Sequence, residues 1–71
     1  MVDGERLRSE ITKTGRTFTF VADYLGITTR ALFLKLDGKT EFKGSEIAKL
    51  AKLLDFSMEQ IDEIFFAPFV E

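Results

Sequence analysis

The stretch from Phe18 to Phe42, FTFVADYLGITTRALFLKLDGKTEF, is the feature that most constrains the fold. A short helical run ends at Gly26, a Thr pair follows, and a second helical run, from Arg30 to Leu36, ends at Asp37-Gly38. Glycine is the residue that most readily adopts the left-handed conformation that ends a helix. Two short helices joined by so tight a turn, with the small Ala22 four residues before the glycine, predict a helix-turn-helix.

Length and composition bound what such a chain can do. Its 71 residues allow one small domain, near the lower limit for an independent core, and we expect a single domain over residues 1–71. The chain has no Cys and no His, which excludes disulfides, thiolate or imidazole metal ligands and most nucleophile–base pairs. Carboxylates remain as the only acid–base groups, and no pair of them is placed in an evident cleft. We therefore expect no enzyme, no cofactor and no small-molecule substrate.

The sequence contains no sign of a membrane or an export signal. No apolar stretch reaches the roughly 18 residues that a bilayer-spanning helix needs. The N-terminal sequence MVDGERLRSE is charged from the start, unlike a signal peptide. We expect a cytoplasmic protein without a membrane partner.

Charge is distributed unevenly along the chain. The formal net charge is −2, yet all ten Lys and Arg residues lie in residues 1–54, together with seven acidic residues. Residues 55–71 carry five acidic residues and no basic one. The split predicts a basic working end and an acidic far end, although ordinary surface charge could produce it in so short a chain.

Apolar spacing and capping residues predict helices throughout the chain. In the second and fourth helical segments, apolar residues recur at positions 0, 3, 4 and 7, which marks one buried face on each. Thr17, Thr28 and Ser57 can cap the second, third and fifth helices, and Gln60 completes a capping box with Ser57. No strand alternation is present, so we expect an all-α globule. The expected helices lie at about residues 4–14, 18–25, 29–36, 44–54 and 58–66, with a tail at 67–71.

The segment GITTRALFLKLDGKTEF, residues 26–42, resembles the lambda-repressor-like family of helix-turn-helix proteins, the class of phage repressor, Cro and XRE-like proteins. It is most similar to short phage and prophage regulators with the core G-I-S-R-x-x-L-x-x-K-L-N-G-K-x-E-F. The match continues at Ser45-Glu46-Ile47, and the resemblance covers roughly residues 5–66. It implies a compact five-helix DNA-binding domain, with the helix-turn-helix formed by the second and third helices.

The resemblance also implies a function and a set of contact residues. The function is a sequence-specific transcriptional regulator of the phage or prophage Cro or repressor type, which binds an operator in double-stranded DNA as a homodimer. The base contacts that it implies, on the outer face of the third helix, are Thr28, Thr29, Arg30, Phe33 and Leu34. Arg30 is the best base reader among them, because a guanidinium can bond guanine O6 and N7 together. The phosphate contacts that it implies are Thr17, Lys35, Lys39 and Lys43.

The C-terminal end is crowded with apolar side chains. A domain of this size can bury only some of them, and a large exposed apolar patch usually marks an interface. We therefore expect a weak homodimer joined through the fifth helix and the residues after Pro68. The expected interface residues are Phe65, Phe66, Phe69 and Val70. The alternative is that residues 61–66 pack on the core of their own chain.

Three positions depart from the family pattern and keep a second function open. Phe18 stands where Gln usually contacts a phosphate, and Asp37 stands where Asn is usual and would meet phosphate with like charge. The Arg of the signature is displaced to Arg30, with Thr29 in its place. The alternative is a protein-interaction module derived from a helix-turn-helix, antitoxin-like or partner-binding, with weak or no DNA binding.

Overall fold

The computed structural model describes residues 1–67, and within that range the chain forms five helices and no strand. The helices are α1 (Gly4–Lys13), α2 (Phe18–Leu25), α3 (Thr29–Leu36), α4 (Gly44–Leu54) and α5 (Met58–Phe65). The all-α expectation is confirmed, whereas α1 and α5 each end one residue earlier than expected. Most of the expected tail lies outside the described residues. No helix within residues 1–67 is long and apolar enough to cross a bilayer.

Side-chain caps fix where the middle helices begin. Thr17 and Thr28 each accept the backbone N–H of the residue three positions on, at 3.0 Å. Ser57 and Gln60 exchange the two hydrogen bonds of a capping box at the start of α5, which confirms that prediction. Gly26, at φ 76°, ends α2 in the left-handed conformation. The chain therefore turns from α2 into α3 within three residues.

One apolar core holds the five helices together. α2 contacts α3 and α4, α1 contacts α3 and α5, and α4 contacts α5. The largest fully buried side chains are Leu7, Ile11, Val21, Leu32, Leu50 and Ile64. Each helix supplies at least one of them, so no helix is held by its loops alone. Burial of one such side chain contributes roughly 1.5–3 kcal/mol.

The N-terminal residues connect the first helix to the last. The Asp3 N–H donates to the Ile64 carbonyl oxygen at 2.6 Å, and the Ala67 N–H donates to the Met1 carbonyl oxygen at 3.0 Å. The Ile64 carbonyl is one of the last four in α5, which have no partner within the helix. The N-terminal residues thus provide a hydrogen-bond partner for one terminal carbonyl of α5 and link α1 to α5.

A buried ion pair joins α3 to α4. Lys35 Nζ lies 3.1 Å from a carboxylate oxygen of Glu46, and the two residues are only 8% and 5% exposed. The same ammonium donates to the Glu41 carbonyl oxygen at 2.9 Å, and Glu46 accepts the Lys43 N–H at 2.8 Å. Because Lys35 is held inward, the pair fixes both the loop after α3 and the rotation of α3 about its own axis.

The environment of Glu46 favours its charged form. Burial by itself raises the pKa of the Glu46 carboxyl, but the Lys43 N–H and the Lys35 ammonium together outweigh burial and lower the pKa below its ordinary value of 4.5. A carboxyl whose pKa is lowered by folding stabilises the folded state above its unfolded pKa. That contribution is lost as the pH falls through the lowered folded pKa.

We predict that Glu46→Gln destabilises the protein at neutral pH, because it leaves the Lys35 ammonium buried without its counter-charge. Removing one partner of a buried ion pair costs about 3–5 kcal/mol. The difference in unfolding free energy between wild type and variant should shrink as the pH falls below 4.5, where the unfolded carboxyl becomes protonated, and should be lost as the pH passes through the lower pKa of the folded carboxyl. Urea unfolding of both proteins, followed by circular dichroism at several acidic pH values, measures this difference in unfolding free energy. A difference that stays constant with pH would contradict the charged assignment of Glu46.

Gly4 lies where α1 meets the end of α3, and no side chain fits there. A Cβ at Gly4 would overlap the carbonyl oxygen of Leu36, a backbone atom that cannot rotate away. At Gly44, the first residue of α4, a Cβ would meet no such neighbour within 4 Å. Packing therefore requires a glycine at position 4 but not at position 44.

We predict that Gly4→Ala lowers the free energy of unfolding by about 1–3 kcal/mol, the usual cost of overpacking. The matched variant Gly44→Ala should leave stability unchanged or raise it by up to about 1 kcal/mol, because Ala favours a helix over Gly. Urea unfolding of both variants gives the comparison. Equal effects at the two positions would mean that α1 does not approach α3 as closely as described.

Candidate nucleic-acid interface

The outer face of α3 carries two exposed side chains among the residues expected to contact bases. α3 buries Leu32, Lys35 and Leu36. At about 3.6 residues per turn, Arg30 and Phe33 then fall on the side away from the core. Both are exposed, and they are three positions apart, so they are neighbours on the helix surface.

The other three expected base contacts are an exposed capping residue, Thr28, and two less accessible side chains. The Thr28 hydroxyl oxygen caps α3 by accepting the Ala31 N–H at 3.0 Å, which leaves its hydrogen free to donate. Thr29 and Leu34 are half-buried. The outer face of α3 therefore offers mainly one guanidinium and one aromatic ring.

Phe18, at the start of α2, packs against Phe33. Their ring centroids lie 5.4 Å apart with the rings tilted by 46°. Phe18 is half-buried and adjoins the core, whereas Phe33 is 37% exposed. Aromatic pairs at such a separation stabilise beyond the area they bury. The Phe33 ring is thus held from one side while part of it stays open to solvent.

The expected phosphate contacts separate into three available residues and one that is not. Lys35 does not fit the expected role, because its ammonium is buried and bonded to Glu46. A lysine near the end of a helix usually lies in solvent, and the one local signal for burial of Lys35 is its spacing of three residues from the inward-facing Leu32. Lys39 and Lys43 are exposed, and Thr17 is exposed at the start of α2.

The basic side chains divide into paired and unpaired groups by position. Three bases of α1 form ion pairs on the surface and Lys35 forms the buried one, among residues 1–67. The six bases without an ion pair in this range are Arg16, Arg30, Lys39, Lys43, Lys49 and Lys52. All six belong to the segment that holds α2, α3 and α4. Apart from Lys35, the positive charges of that segment are available to an external anion.

Asp37 has a partner that the sequence did not reveal. Its carboxylate accepts from an Arg8 guanidinium nitrogen at 2.6 Å, and the two residues are 29 positions apart in the chain. The expected repulsion between Asp37 and phosphate is therefore offset locally. The interaction also ties α1 to the end of α3.

The residues expected at the dimer interface do not share one environment. Phe65 is buried and contacts two aromatic rings of its own core, so it is not available to a second copy. Phe66 is 60% exposed. Phe69 and Val70 lie outside the described residues. The alternative, that this end packs on its own core, is thus correct for Phe65 and not for Phe66.

A groove with a volume of about 440 Å³ opens beside Phe66. Its apolar walls come from the N-terminus, the loop after α3, α4 and the end of α5, and include Met1, Val2, Phe42 and Ile47. Within residues 1–67, no three acidic side chains are grouped as ligands for a metal ion. The groove offers apolar contact beside the exposed Phe66.

Comparison with known proteins identifies a family. A family model described as "Protein of unknown function (DUF739)" matches residues 2–68. A search of curated proteins found no match. The matched range contains all five helices, and the chain therefore belongs to the DUF739 family.

Proposed function

We propose that this protein is a sequence-specific DNA-binding transcriptional regulator, of the phage or prophage Cro or repressor type. α2 and α3 would act as a lambda-repressor-like helix-turn-helix, with α3 as the recognition helix in the major groove. The observation that carries the proposal is the distribution of ion pairs. The bases of α1 are paired, whereas the six bases in residues 16–52 other than Lys35 make no ion pair within residues 1–67.

Unpaired bases suit phosphate binding because neutralising a phosphate releases condensed counterions. Arg30 has an exposed guanidinium in the first turn of α3, and Lys39 and Lys43 lie in the loop that follows the helix. Phosphate contacts on both sides of a groove position a protein, whereas base contacts give specificity. Arg30 would select the base, and Lys39 and Lys43 would bind phosphates and so position α3 on the duplex.

We propose that the protein binds DNA as a two-fold symmetric homodimer. Two copies related by a two-fold axis place their recognition helices roughly 34 Å apart, one turn of the duplex. Phe66, exposed beside the apolar groove, is the described residue best placed for contact with a second copy. Residues 55–67 carry four acidic residues and no basic one, so contact through this end would keep acidic groups away from phosphate.

A second candidate function is a protein-interaction module of the antitoxin-like or partner-binding kind. The observation that favours it lies on α2, where Phe20 and Tyr24 are exposed and their rings stack at 6.5 Å. The Arg16 guanidinium lies 5.9 Å from the centroid of the Phe20 ring. Neither aromatic residue belongs to the outer face of α3, so DNA binding through α3 leaves this patch unexplained.

Arg30 tests the DNA-binding proposal. On an operator recovered by selection from random duplex DNA, Arg30→Lys should keep the charge but lose the bidentate contact. It should cost roughly 1–3 kcal/mol and relax the preference at one base position. Lys13→Ala, at a base of α1 paired with Glu10, is the control and should change neither affinity nor preference. Fluorescence anisotropy at several salt concentrations provides both quantities.

Two outcomes of that experiment would count against the proposal. An equal loss on every sequence would reduce Arg30 to a phosphate contact. Absence of salt-sensitive binding by the wild-type protein would favour the protein-interaction module.

Phe66 tests the proposed dimer contact. Phe66→Ser should raise the dimer dissociation constant, because it removes an exposed apolar side chain from the proposed interface. Phe20→Ser, at an exposed Phe on α2, is the matched control and should leave self-association unchanged. Analytical ultracentrifugation over a wide concentration range measures both. A wild-type protein that stays monomeric up to high micromolar concentration would contradict a dimer in free solution.

A further inference from the structure

We infer that Phe33, braced by Phe18, reads the C5 methyl group of a thymine in the major groove. The inference rests on the proposed function and deepens it by naming the base feature that α3 selects. It assigns a specificity role to an aromatic pair that joins α2 to α3.

The outer face of α3 is poor in polar groups. Arg30 supplies its one charged donor, and the Thr28 hydroxyl, whose oxygen caps the helix, adds one neutral donor at the start of α3. The other large exposed group on this face is the Phe33 ring. Of the groups that base pairs present in the major groove, the thymine methyl is the apolar one. Contact between an aromatic ring and that methyl group strengthens binding. Contact with an amino group or carbonyl weakens it, because the ring removes water from a polar group that it cannot hydrogen-bond.

Phe18 supports the Phe33 ring from one side and so restricts its orientation. The two centroids lie 5.4 Å apart, and Phe18 is itself packed against the core. A ring already held from one side loses little rotamer freedom when its other side is covered. The presence of Phe18 at the start of α2, instead of a polar residue, therefore has a direct use in recognition.

Arg30 and Phe33 together predict a local base pattern. Three residues of helix rise about 4.5 Å, slightly more than one base-pair step of about 3.4 Å. Because both side chains project from the same face, they reach adjacent or next-adjacent base pairs. A guanine for Arg30 and a thymine for Phe33 should therefore lie within two base pairs of each other in each half-site.

Uracil substitution tests the inference. In an operator recovered by selection from random duplex DNA, each thymine is replaced in turn by uracil, which removes the methyl and keeps the pairing. One thymine in each half-site should show a loss of roughly fourfold in affinity, the effect of one buried methyl group. Phe33→Ala should abolish that loss, and Phe33→Leu, which keeps an apolar contact with Phe18, should reduce it.

The control variant is Phe20→Ala, at an exposed Phe outside α3, which should keep the full uracil effect. Circular dichroism checks that each variant is folded. A uracil effect that persists unchanged in both Phe33 variants would assign the methyl contact to another residue and overturn the inference. Salt-sensitive binding with no uracil effect at any position would overturn it while leaving the proposed function intact. If no duplex binds at low salt, the proposed function fails and this inference fails with it.

Discussion

The buried pair of Lys35 and Glu46 is the interaction on which the orientation of α3, and so of the proposed DNA-contacting face, depends. It links the end of α3, the loop that follows it and the first turn of α4 through three polar contacts. Lys35 also lies 5.9 Å from the ring centroid of Phe42, which contacts Phe65 of α5. An uncompensated charge at this depth would be costly, so the partners have to stay together. Their geometry turns one side of α3 inward and leaves the opposite side to solvent.

The composition of that solvent side decides what α3 can recognise. It presents Arg30 and a braced Phe33, and the loop after it carries Lys39 and Lys43, which make no ion pair within residues 1–67. The ion pairs of α1 neutralise part of the remaining positive charge, and α5 is acidic. We propose that this arrangement directs the α2–α3 side toward DNA and the α5 end toward a second copy. The exposed Phe20 and Tyr24 keep a protein partner on α2 as the competing explanation.

Features encoded within a few residues can be predicted from the sequence, and features that depend on distant contacts cannot. Thr28 and Ser57 cap their helices as expected because a cap involves only residues three positions apart. The charge of Lys35 predicts a surface location, although it lies three residues after Leu32 on the inward side of α3, and only the distant Glu46 explains how that charge can be buried. Phe65 and Phe66 are adjacent and equally apolar, yet Phe65 ends α5 and is buried, whereas Phe66 has left the helical conformation and is exposed. The bounds of the helices are therefore easier to predict than the side chains available to a partner.

We propose that α3 and the loop after it contact DNA. Backbone amide chemical shifts, measured by NMR while duplex DNA is added at low salt, test it most directly. We predict that the shift changes concentrate in residues 28–34 and 39–43, and that they diminish as salt is added, because phosphate contacts dominate binding. Shift changes confined to α5 and the N-terminal residues, or no change at low salt, would contradict it.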